Sequence, residues 1–143
     1  MASVTESIPL AVPVDTVWAV LRNPSRFADW VDIHAGFVGE PPTELVVGST
    51  FGQRLRVMGM PADVTWTVDQ VEPDQYVVLK GNGPMGVGLT VRYTVEPIEL
   101  GTLATATFEF SGAAVVMVGS QLTRETADSL RTSLKALKAL VES

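Results

Sequence analysis

His34 is the only histidine in the chain, which excludes any metal site or catalytic pair built on two imidazoles. It follows Trp30 by one helical turn, at the exit of a short helical segment. An imidazole there can hydrogen-bond a ligand carbonyl or phenol, or act as a general base near neutral pH. It can equally cap the helix end or tie down a loop, and spacing leaves both roles open. Tyr93 adds a hydroxyl at the end of a broad apolar ring. His34 and Tyr93 are therefore the candidates for catalysis; no further catalytic group can be named. The chain has no cysteine, which removes thiol nucleophiles, disulfides and cysteine metal sites. Its carboxylates are scattered, with no acidic pair at diagnostic spacing, no Ser-His-Asp order and no EF-hand or zinc pattern. No metal or cofactor is expected.

The arginines carry the remaining charge chemistry. Arg54 and Arg56 share one face of a strand, out of phase with Phe51, Gln53 and Leu55, and Arg92 lies on a small-residue strand face. Pointing inward, any of them is a costly buried charge that calls for an anionic partner such as a ligand carboxylate. Solvent is the expected side, with Asp69, Glu96 and Glu109 as exposed neighbours. Among the aromatics, Trp66 and Tyr93 sit at alternating strand positions and are expected to line a ligand site. Gly81-Asn82-Gly83-Pro84-Met85-Gly86 is glycine-rich, but it joins two strands and precedes no helix. It reads as a flexible hairpin lip, not a phosphate cradle.

Periodicity supplies the elements that hold these groups. Val4, Glu6, Ile8 and Leu10 alternate with Thr5, Ser7 and Pro9, which predicts a strand over 3–11. Pro13 then opens a short helix on Val14, Val17, Trp18 and Leu21, and Asn23-Pro24 stops it. Residues 24–30 make a second helical turn. From about residue 35 the pattern is of strands: 51–58, 62–71, 75–80, 87–95 and 103–111, separated by turn signals. Such even spacing argues for an antiparallel meander. From Gly112 to Val141 there is no proline, and Leu130, Leu134, Leu137 and Val141 form a helical stripe. A helix from about Val118 is roughly 35 Å long, enough to cross a sheet. The fold class is α+β, in the order β-α-α-β(5-6)-α, as one domain over 1–143.

Composition fits this. A chain of 143 residues can bury roughly 68–70% of its unfolded surface without a staple. A net charge of −6 repels phosphate backbones and argues against nucleic acid as a partner. No stretch reaches the roughly 18 apolar residues of a membrane helix, so no integral membrane association is expected. The first residues lack a basic n-region and do not form a signal peptide, which makes the cytoplasm the expected location.

One departure from ordinary packing points to function. Running back from Leu130, the helix face meets Thr126, Ala127, Thr123 and Gly119, all small or weakly polar. The last strand thins in the same way, with Thr105 and Thr107 alternating with Ala104 and Ala106. Close-packed interiors fill such places with large aliphatics. A cavity at the N-terminal end of the long helix is expected, unless Phe108, Phe110 and Met117 fill it.

The opening SIPLAVPVDTVWAVLRNPSRFADWV, with the order of elements around it, resembles the START/Bet v 1 superfamily, also called SRPBCC or polyketide cyclase/dehydrase-like. The segments DWVDIHAGF, VMGMPADVTWTV and LKGNGPMGVGLTV are similar to an actinobacterial subgroup that includes the toxin of a toxin–antitoxin pair. The resemblance implies a helix-grip fold, a curved antiparallel sheet wrapped around the C-terminal helix, enclosing an apolar cavity for lipids, polyketides or sterol-like molecules. It does not imply one activity. The expected function is binding or carriage of a small hydrophobic ligand, with Trp30, His34, Trp66, Tyr93, Thr107 and Thr123 as ligand-binding candidates. A polyketide cyclase, aromatase or dehydratase and a toxin component remain as alternatives, and a homodimer or an antitoxin-like protein stays open as a partner.

Overall fold

Seven strands form one fully antiparallel sheet in the order β1-β7-β6-β5-β4-β3-β2, in a computed structural model that describes residues 2–143. The chain enters by β1 (Ala2–Leu10), turns through α1 (Val14–Leu21), a 3₁₀ turn (Pro24–Arg26) and α2 (Phe27–Trp30), and starts a meander. The meander runs through β2 (His34–Val38), β3 (Thr50–Val57), β4 (Met60–Glu72), β5 (Tyr76–Asn82), β6 (Gly88–Ile98) and β7 (Gly101–Ser111). It ends in α3 (Ala113–Glu142), 30 residues long. That places six strands between α2 and α3, at the upper end of the expected five to six. The strand at His34–Val38 is the one that residue spacing did not define.

Alternation fixes which face of the sheet is concave. In β7 the buried residues are Thr102, Ala104, Ala106, Phe108 and Phe110, one in every two. The residues between them face outward, where the Thr5 and Thr107 hydroxyls meet at 3.1 Å and those of Ser7 and Thr105 at 3.0 Å across the β1–β7 pair. Two glycines are required by close approach. A Cβ on Gly101 would stand 2.0 Å from the Leu10 carbonyl oxygen where β1 ends, and one on Gly81 would stand 2.6 Å from the Trp66 indole across β4–β5. The β3–β4 hairpin turns on Met58 and Gly59, both at positive φ (53° and 77°), the two-residue geometry that matches strand twist.

α3 crosses the concave face, but it does not lie flat on it. Its backbone comes closest to β1, α2 and β7, with no comparably extensive approach to β3, β4, β5 or β6. Its C-terminal half is tied down. Arg131 reaches Glu6 on β1 (3.1 Å), the Ala11 N–H donates to Glu142 (2.9 Å), and Leu130, Leu134 and Leu137 are buried. Its first turns are different: Gly112 gives no side-chain cap, and Val116 and Met117 are largely exposed.

Candidate functional site

The helix anchored along one side and lifted from the strands opposite leaves a cavity of about 420 Å³. Its walls are the small and aromatic side chains of the concave face, chiefly Ala106, Phe108, Phe110, Leu89 and Tyr93, with Trp30 from α2 and Leu122, Thr126 and Leu130 from α3. The expected hollow is present, but it is centred on the middle of α3. The first turns, Ala113 to Val118, run past it. Phe108 and Phe110 form wall without filling the space, while Met117 turns away, 89% exposed.

One end of the cavity is open and polar. Arg56, Met58 and Gly59 at the β3–β4 hairpin face Asp32 on the α2–β2 connection and Glu125, Asp128 and Ser129 on α3. The Asp32 N–H donates to the buried Ser133 hydroxyl (2.8 Å), which fixes the α2–β2 connection to α3. Asp128 is paired with Arg131 at 2.9 Å.

Deeper in, two polar groups have no hydrogen-bond partner among the described residues. Tyr93 is buried and lines the cavity, and desolvation raises its phenol well above the usual range with no hydrogen bond opposing it. The phenol therefore stays protonated. Beside it, Trp30 meets the Tyr93 ring edge-on, centroids 5.3 Å apart, and its enclosed indole N–H has no acceptor. A buried donor without a partner, as at Trp30, is uncommon in folded proteins.

His34 and Trp66 belong to a separate arrangement. Trp66 Nε1 donates to Gln53 Oε1 (2.8 Å), and Gln53 Nε2 lies 2.7 Å from His34 Nδ1. With the Gln53 oxygen taken by the indole, its amide donates to His34 Nδ1, which places the neutral ring's proton on Nε2. Phe27 and Phe37 pack against the imidazole, and burial lowers its pKa below the usual histidine value. Trp66 lines a gap of only about 10 Å³ behind Tyr93 and Phe108, barely room for one water.

The structure thus brings Trp30 and Tyr93 together on the cavity wall and sets His34 and Trp66 behind it. Thr107 lies on the convex face, bonded to Thr5, because the aromatic phase of β7 takes the inside. Thr123 is half-buried off the cavity lining, its hydroxyl donating to the Gly119 carbonyl one turn back (2.7 Å), while Thr126 holds the inward position. Arg54 is exposed and forms a two-bond pair with Asp63 (2.8 and 3.1 Å), and Arg92 is exposed over the Tyr76 ring. Gln53 and Ser133 were missed. The available signal for Gln53 was its place in the buried phase of β3, next to the Phe51–Trp66 pair.

Comparison with known proteins agrees with this geometry. The family model described as polyketide cyclase / dehydrase and lipid transport matches residues 1–142. Uncharacterized protein Rv1546 of Mycobacterium tuberculosis is 30% identical over 141 residues, 98% of this chain and 99% of its own. Toxin Rv0910 of the same organism is 27% identical over 116 residues, 81% of each chain. Among solved structures, a START superfamily protein from Mycobacterium smegmatis superposes with a TM-score of 0.76 at 15% identity, covering 99% of this chain and 98% of that one. Protein CV1439 from Chromobacterium violaceum gives 0.77 at 18% identity, covering 100% and 99%. With its helix-grip architecture and a family match over nearly its whole length, this chain belongs to the polyketide cyclase/dehydrase and lipid transport family.

Proposed function

We propose that this protein binds or carries a small hydrophobic molecule in the cavity between the sheet and α3. The observation that carries it is the hollow itself: about 420 Å³ walled mainly by apolar side chains and open at one end. That volume lies in the range of about 300–1,000 Å³ typical of small-molecule sites. Apolar surface removed from water contributes about 25 cal/mol per Å², so affinity needs only one or two polar contacts. Binding chemistry is favoured over catalysis because the two candidate proton carriers are not brought together. Tyr93 lines the cavity, whereas His34 does not and has its Nδ1 engaged by Gln53.

Nile red binding and native mass spectrometry of freshly purified protein test this. An apolar molecule is expected to be retained or taken up. Ala106→Leu, which places a larger side chain on the buried wall, is expected to cut uptake at least tenfold while the protein stays folded. Uptake unchanged by that substitution contradicts the proposal. A second reading draws on the 27% identity to Toxin Rv0910. It predicts growth arrest on expression that is relieved by a neighbouring small regulator-like protein, and harmless expression removes it.

A further inference from the structure

We propose that the cavity selects uncharged, mainly hydrocarbon molecules bearing one hydroxyl or carbonyl oxygen, and that this oxygen bonds the Tyr93 hydroxyl. The inference rests on the cavity being a ligand site and adds the chemical class it takes. Three observations carry it. First, Tyr93 is only 6% exposed, lines the cavity, and its hydroxyl has no hydrogen-bond partner among the described residues. A neutral phenol donates one bond and accepts others, so a hydroxyl or carbonyl satisfies it. Second, the neighbouring Trp30 indole, packed edge-on against Tyr93, carries only an N–H and so offers the phenol no acceptor. Third, the charged residues of the lining, Asp32, Arg56, Glu125 and Asp128, are all exposed, and with Asp128 paired to Arg131 the two other carboxylates stand against Arg56. A carboxylate drawn inside loses its water with no cation to meet it, and at the mouth it faces a surplus of its own sign.

Decanol, decane and decanoate, competed against Nile red, test the selection in the wild type, in Tyr93→Phe and in Arg56→Gln. In the wild type, decanol is expected to bind roughly three- to tenfold more tightly than either of the others, the range one net hydrogen bond allows. Tyr93→Phe is expected to bring decanol down to the level of decane measured in the same variant. Its melting temperature is expected to hold or rise, because the removed hydroxyl bonds nothing in the protein. Equal decanol affinity in wild type and Tyr93→Phe overturns the inference. So does preferential decanoate binding, above all if Arg56→Gln abolishes it, since the mouth then makes the choice. In both cases Nile red and decane still bind and the cavity reading survives. Failure of Nile red and every decyl compound to bind overturns both.

Discussion

At the scale of single residues, the His34–Gln53–Trp66 chain runs in one direction, because an indole can only donate. Protonating His34 puts a second N–H against the Gln53 amide, and burial also disfavours the charged ring. The neutral form is therefore favoured in the folded state. Its contribution to stability is complete above the unfolded pKa of about 6.5 and is lost as pH falls through the lowered folded value. His34→Gln is expected to flatten that part of the melting-temperature profile. Gln53→Glu is expected to raise the His34 pKa, followed by NMR titration, since a carboxylate accepts from both neighbours. Its pH dependence then reverses, with stability present at low pH and lost as pH rises. Tyr93 was legible as a cavity residue, since its strand phase and its hydroxyl were both in view. Gln53 was not, because a glutamine in a strand says nothing of a partner thirteen residues on until the β3–β4 register sets the diagonal between Gln53 and Trp66.

At the scale of elements, period-2 alternation gave nearly every strand and left one choice of face open. In β7 both faces are built from small residues, Thr105 and Thr107 on one and Ala104 and Ala106 on the other. Phe108 and Phe110 settle it: two aromatic rings belong inside, so the alanines follow them and Thr107 pairs outward with β1. The same holds for α3, where Leu122, Thr126 and Leu130 define the inward row and Thr123 falls a quarter-turn aside. β2 escaped notice because it is five residues long and bears a register shift between His34 and Gly36. Its ladder to β3 holds it in place, and the Asp32–Ser133 bond ties the connection before it to α3. Ser133→Ala removes the partner of the Asp32 N–H. A loss of about 1 kcal/mol is expected, measured by denaturant unfolding, with faster ligand release through the loosened connection.

At the scale of the whole molecule, the order of elements followed from the sequence pattern and the family likeness together, whereas the pairing of β1 with β7 came only from the structure. The cavity's position did not. A hollow is a difference between two large surfaces, and its size depends on how far α3 is held from β3 to β6. That distance is set by contacts between residues remote in the chain, such as Arg131 with Glu6 and Asp32 with Ser133. Ala106→Leu acts on the same quantity. Filling an existing void adds contacts without displacing a neighbour, so stability is expected to rise by about 0.5–2 kcal/mol as ligand capacity falls, measured by thermal unfolding.

The uncapped beginning of α3 has a consequence of its own. A beam fixed along its far half and free at its near end bends at the near end first. Backbone amides of Ala114 to Gly119 are accordingly expected to trade hydrogen for deuterium well ahead of those of Leu130 to Leu137. An occupant wedged against Leu122 is expected to slow the early group and leave the late one as it was.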